Sequence, residues 1–425
     1  MTLLIISLLL LITLGLPIGY ALGVSGGLYF IAYHPELIII IPERLFSGMN
    51  APLLLSLPLF ILMGLFMNEG NLTQRLINML MMFVGKIRGS LGLVNVLVSM
   101  VFGGISGSSV SDTASVGAIL IPEMEKKGYS QEFACGVTVA SSTMGMIIPP
   151  SIPMLMYATI SSESVGRLFL GGLVPGVMIG IFMLVITFLI ARKENIPIEK
   201  VSCDPAFIRK TLKDGFFAII MPLFVVGSIV FGVATATEAA GLGALYALVV
   251  GLFIFKSLKL KRIPALLVET IKLSASVMIV IAFSNMFTWI LSLEHVPLRM
   301  AMFITSINLP PVIVLLVIDV IILFVGMFLD VSPAIMLLTP VFLPAVSALG
   351  VSPVQFGVLL IAGLAIGLDT PPVGMCLNVA STIAKVDILH IFKSAIPFLL
   401  ANVATLLLVT IFPAISNWLP NLCTA

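Results

Sequence analysis

The sequence predicts an all-α integral membrane protein of two inverted repeats, with about ten spans, two re-entrant helical hairpins and two helices broken at Pro-Pro pairs. Three observations predict it. The 425 residues are 60% hydrophobic and only 9% charged, with a mean hydropathy of +1.23, whereas soluble domains carry roughly 25% charged residues. A proline pair twice interrupts an apolar run, in "TMGMIIPPSIPM" from Thr143 and in "AIGLDTPPVGMC" from Ala365. Pro150 and Pro372 are separated by 222 residues, and the sequence around them repeats at that offset.

The repeat is read from prolines and glycines, because aliphatic matches mean little in so apolar a chain. Shifted by 222 residues, Pro122, Pro149, Pro150 and Pro175 fall on Pro344, Pro371, Pro372 and Pro397. Gly104, Gly128 and Gly145 fall on Gly326, Gly350 and Gly367, and Ser130 on Ser352. With a five-residue adjustment, Gly15, Gly26, Leu28 and Tyr29 match Gly232, Gly243, Leu245 and Tyr246.

The elements follow from the basic residues, which gather in cytoplasmic loops. The N-terminus lacks a basic flank and reads as a retained span. Clusters at Lys86/Arg88, Lys126/Lys127, 192–213 and 256–262 are placed inside. Both ends of 90–124 are then cytoplasmic, and its middle, "FGGISGSSVSDTASVG", is polar. That suits a re-entrant hairpin, since irregular backbone at membrane depth must line a cavity or pack in protein. The first repeat spans 1–192, with spans in 1–89, the hairpin 90–124 and helices in 128–192. A solvated cytoplasmic linker covers 193–215. The second repeat, 216–425, has spans in 216–311, a hairpin at 312–347 entering from outside and helices in 353–417. Five spans per half is an odd number, which inverts the second half relative to the first. Inverted repeats with discontinuous helices are a mark of secondary transporters.

Composition excludes other classes. A net charge of +2 does not suggest nucleic-acid binding. Cys135, Cys203, Cys376 and Cys423 form no CxxC pair, and His34, His295 and His390 are scattered, so a disulfide or transition-metal framework has little support. The chain has no GxxxxGK[ST] motif for ATP. No Ser/His pair or HExxH motif points to an enzyme.

The chemistry is expected at four broken backbones: 106–115, 141–151, 326–334 and 366–374. A proline pair removes donors and frees carbonyls one turn earlier, and a dehydrated Na⁺ takes such oxygens. Half-helix N-termini offer the opposite, a positive end for an anion. Ser106, Ser108, Ser109 and Thr113 present hydroxyls at the first tip. Asp112 and Asp330 are acids near the tips, and intramembrane acids are functional by default. Asp330 falls on Ser108 in the repeat; it is read as a Na⁺ ligand, as an acceptor from substrate, or as a cap of the helix from Ser332. Asp369, just before "TPP", reads as a cation ligand. Asp319 and Glu238 read as structural.

The stretches "GGISGSSVSDTASVGAILIPEMEKKGYS", "SSTMGMIIPPSIPMLMYA", "ATATEAAGLGALYAL" and "GLDTPPVGMCLNVAS" jointly resemble the large membrane subunit of tripartite ATP-independent periplasmic (TRAP) transporters, essentially end to end. The resemblance implies Na⁺-driven, ATP-independent import of an organic acid across the bacterial inner membrane. It implies two partners: a soluble periplasmic substrate-binding protein and a small four-helix membrane subunit, here expected on a separate chain. It further implies an elevator mechanism, with a transport domain of hairpins and broken spans sliding against a scaffold of the remaining spans. Carried over by position, two or more Na⁺ ions would be held. The first site joins Ser106, Gly107 and Ser109 to Gly145, Met146 and Pro149. The second joins Gly326 and Asp330 to Gly367, Asp369 and Thr370. Pro149, Pro150, Pro371 and Pro372 break the helices, and Ser108, Ser109, Asp330 and Ser332 face substrate. Among the family's organic acids, Asp330 favours a polyhydroxylated monocarboxylate of the sialic-acid kind over a C4-dicarboxylate. A carrier of the same superfamily that needs no binding protein is the alternative, and an anion channel is a further one.

Overall fold

The computed structural model describes residues 1–196, 198, 204–307 and 309–423, and of residues 104–106 the backbone alone. Every regular element among them is helical, as expected where lipid cannot satisfy backbone groups and each span must satisfy its own. Stretches long and apolar enough to cross a membrane include Val165–Lys193, Pro205–Val230 and Ile388–Ile411.

The first half opens with α1 (Thr2–Thr13) and α2 (Ile18–Tyr33), separated at Gly15 (φ +84°) and Pro17. A short amphipathic α3 (Ile41–Met49) leads to α4 (Ser56–Glu69) and α5 (Leu72–Val84). The first hairpin is α6 (Ser90–Ser106) and α7 (Ser109–Lys126), turning at Gly107 (φ +60°). α8 (Gln131–Ser142) and the one-turn α9 (Met144–Ile147) stop at Pro149–Pro150, after which α10 (Ile152–Ser161) and α11 (Val165–Lys193) follow.

The second half opens with α12 (Pro205–Val230), α13 (Ala236–Val249), α14 (Ile263–Leu293) and α15 (Val296–Ser306). Its hairpin is α16 (Pro311–Gly326) and α17 (Val331–Ala348). α18 (Pro353–Leu368) stops before Pro371–Pro372, and α19 (Met375–Ala384), α20 (Ile388–Ile411) and α21 (Ala414–Cys423) complete the chain. Both Pro-Pro bonds are cis. The bounds of α7 and α17 differ by 222 residues at each end.

One reading needs correction. The linker is shorter than 193–215, because Asp204 accepts a hydrogen bond from the Ala206 amide and caps α12, whose Pro205 is preorganised for a first helical position. Glu238 is structural: it closes a capping box with Thr235 at the start of α13. Asp319 accepts a 2.6 Å bond from Thr410 and joins α16 to α20.

Candidate functional site

Two glycine contacts set the geometry at the breaks. A Cβ on Gly103 would lie 2.4 Å from the Gly145 Cα, and a Cβ on Gly367 would lie 2.5 Å from the Gly326 Cα. Each hairpin thus brings its first helix onto the broken helix of its own half, backbone against backbone, which only glycine permits. The first tip reaches past the proline pair: a Cβ on Gly107 would lie 2.9 Å from the Ile152 amide nitrogen.

Between the two tips and the helices α4 and α14 lies a cavity of about 290 Å³. Its polar lining is Asn68, Ser108, Ser111, Ser276, Asp330 and Ser332. Among the described residues no Lys, Arg or His lines it. Three helix N-termini reach it instead: α7 at Ser108, α10 at Ile152 and Pro153, and α17 at Val331 and Ser332. Each carries about half a positive charge from its aligned peptide dipoles. The arrangement suits an anion held by dipoles, with one carboxylate, Asp330, beside it. Asp330 also caps α17, its Oδ1 accepting from the Val331 amide at 2.8 Å.

Asp369 sits elsewhere. It is fully buried, and neither carboxylate oxygen has a hydrogen-bond partner. The Cys376 thiol of α19 lies beside it without hydrogen-bond geometry. Cys376 also lies against Ser109 and Thr113 of α7 and accepts from Ser142 at 3.8 Å. The hydroxyls of Ser109 and Ser142 are 2.7 Å apart. A carboxylate from the second half and hydroxyls from the first therefore both lie against Cys376. Two unpartnered carboxylate oxygens fit a hard monovalent cation. Asp112 of α7, likewise buried and unpartnered, lies next to Ser99 of α6.

Ser108, Asp330, Ser332, Gly107 and Met146 meet at the central cavity. Ser109 does not: it is buried and turns to Ser142, on the side of α7 where Cys376 packs. Asp330 lines the central cavity, whereas Asp369 lies beside Cys376, which packs against α7 across the halves. Gly145 and Gly326 make the backbone contacts described above. Pro149 and Pro150 are buried, whereas Pro371 and Pro372 are less so. The Thr370 hydroxyl is tied to the Ile366 carbonyl at 2.9 Å. The Ser106 side chain lies outside the described residues.

Three residues were not singled out from the sequence. Cys376 stands four positions after Pro372, and position alone gives no sign of its direction. Asn68 and Ser276 are lone polar residues in apolar runs, a signal that was available. Asn68 donates to Ser115 of α7 at 2.8 Å, bonding α4 to the first hairpin.

A family model for the DctM component of tripartite ATP-independent periplasmic transporters matches residues 5–415. The chain belongs to the DctM family. This DctM-family permease is 36% identical to the C4-dicarboxylate TRAP transporter large permease protein of Pseudomonas aeruginosa, over 94% of each chain. It is 34% identical to the sialic acid TRAP transporter large permease protein of Vibrio cholerae, over 96% of this chain and 95% of the relative. In fold it is similar to the Alcanivorax borkumensis YdaH transporter, with a TM-score of 0.66 at 14% identity, over 89% of this chain and 88% of the other. The DctM-family permease is thus a multi-pass inner-membrane protein and a transport component, one part of a tripartite system.

Proposed function

We propose that this permease imports a polyhydroxylated monocarboxylate, of the sialic-acid or sugar-acid kind, coupled to Na⁺. The observation that carries the reading is the central cavity, where three helix N-termini converge and the one ionisable side chain among the described residues is an acid. Dipoles attract a single carboxylate. Asp330 repels a second carboxylate but accepts hydrogen bonds from hydroxyl or amide donors. The relatives named for C4-dicarboxylate and for sialic acid are almost equally similar, so the preference for a monocarboxylate rests on the cavity chemistry. Na⁺ binds at Asp369 with Ser109 and Ser142, and a second ion at the Gly145 break. A soluble periplasmic protein delivers the acid, and a small membrane subunit on its own chain supports the scaffold.

Transport proceeds by an elevator motion. The hairpins, α8 to α11 and α18 to α21 move together against α1 to α5 and α12 to α15. The matched bounds of α7 and α17 and the paired glycine contacts support two equivalent halves of the moving body. The cavity lies at its boundary with α4 and α14.

Asp330→Asn tests the substrate assignment, because asparagine caps a helix as well as aspartate does. A lost charge-assisted hydrogen bond is worth about 1.5–3 kcal/mol. Uptake of N-acetylneuraminate should therefore fall roughly 10- to 100-fold in kcat/KM, while uptake of succinate does not fall. Unchanged kinetics for every acid would contradict the assignment.

A further inference from the structure

A second cavity of about 370 Å³ lies in the same cleft, farther along the helices that line the central one. Three helices serve both. α10 gives Ile152 and Pro153 to the central cavity, then Met156 and Thr159 to the second. α14 gives Val277, then Ile281, Asn285 and Thr288; α17 gives Ser332, then Met336. From Val277 to Asn285 the helix rises about 12 Å. α14 starts beside the basic cluster that marks the cytoplasmic side, so the second cavity lies toward the outside.

Its chemistry differs from that of the central site. Arg44 of α3 lines it, with Ser47 on the same helix. The Arg44 guanidinium lies over the Trp289 ring, 5.0 Å from its centroid, and forms no ion pair among the described residues. Asn285 donates to the Arg44 carbonyl at 2.8 Å, fixing α3 to α14. A guanidinium with open donors binds a carboxylate through two parallel hydrogen bonds, and an exposed cation at a cleft mouth concentrates anions there. The two cavities are separated by Met156, Ile281 and Met336, and methionine repacks readily.

We infer that this outer cavity is a second, anion-selective binding site, in which Arg44 holds the carboxylate of the acid before it reaches the central site. The inference rests on the proposed organic-acid cargo. A carboxylate first meets a full charge at the rim. It then moves about two helical turns inward to a site held by dipoles alone, so it is not trapped at the rim by a dehydrated ion pair.

The chain has two tryptophans, and a Trp418→Phe background leaves Trp289 as the sole reporter under Arg44. The purified protein is titrated with N-acetylneuraminate, gluconate, succinate and acetate at two ionic strengths. We expect a saturable change in Trp289 fluorescence that weakens at high salt. Arg44→Ala should remove it without lowering the melting temperature, and Arg44→Lys should retain it with several-fold weaker affinity. No saturable response to any of the four acids, or an undiminished response in Arg44→Ala, would overturn the inference. Intact Trp289 titration without Na⁺-driven uptake would contradict the transport reading alone. Uptake without a Trp289 response would contradict the outer site alone.

Discussion

Asp369→Asn should abolish Na⁺-driven uptake and reduce the stabilisation of the permease by Na⁺. The carboxylate is fully buried with neither oxygen paired, and an isolated ionised carboxylate costs several kcal/mol in such a place. A bound cation offsets that cost, so the wild type gains stability with Na⁺ by mass action, about 2.7 kcal/mol at 100-fold excess over the dissociation constant. Asparagine is close in size but neutral. The variant should therefore melt no lower than the wild type without Na⁺, and should not respond to Na⁺ as the wild type does. A thermal-shift titration with NaCl against choline chloride reads both effects. A wild-type Na⁺ response in the variant would remove Asp369 from the ion site.

Cross-linking Asn68→Cys to Ser115→Cys should stop transport completely and reversibly. The native side chains are bonded at 2.8 Å, one on α4 and the other on the first hairpin. Asn68 also lines the central cavity and lies at the C-terminal end of α4, while Ser115 lies in the tip half of α7. An elevator stroke moves the hairpin past α4, so this bond must break in each cycle. A short bis-thiol cross-linker should therefore trap the protein, and a reductant should restore uptake. Cys135 and Cys376 are fully buried, and the wild type treated in the same way controls for the native thiols. Full transport by the cross-linked protein would show that α4 and the hairpin do not separate, which would contradict the elevator reading.

The backbone of the account was legible in the sequence, but its side-chain directions were not. Pro149–Pro150 and Pro371–Pro372 locate the breaks because proline acts locally, through a missing donor and a steric clash. Gly107 locates the tip for a similarly local reason. Ser109 was named both for Na⁺ and for substrate, and the sequence did not show that its hydroxyl turns to Ser142, because rotation at a hairpin tip is set by packing against other elements. Asn402 of α20 illustrates this: it donates to Ala140 and Thr143 at the first break from 259 or more positions away. Arg44 passed unnoticed because a single arginine in a short amphipathic helix reads as a surface charge. Only the arrival of α14 places Trp289 and Asn285 against it. The linker was overextended because charge marks solvent exposure, and the first turns of α12 are both charged and helical.

The central claim is Na⁺-coupled import of an organic acid by this chain together with two partners. Its most direct test is uptake of N-acetylneuraminate, gluconate or succinate into proteoliposomes holding the permease and its small subunit, with acid-loaded binding protein outside. The account predicts accumulation of a polyhydroxylated monocarboxylate only under an inward Na⁺ gradient and only with all three components present. Accumulation that persists when the Na⁺ gradient is collapsed, or that this chain supports alone, would contradict it.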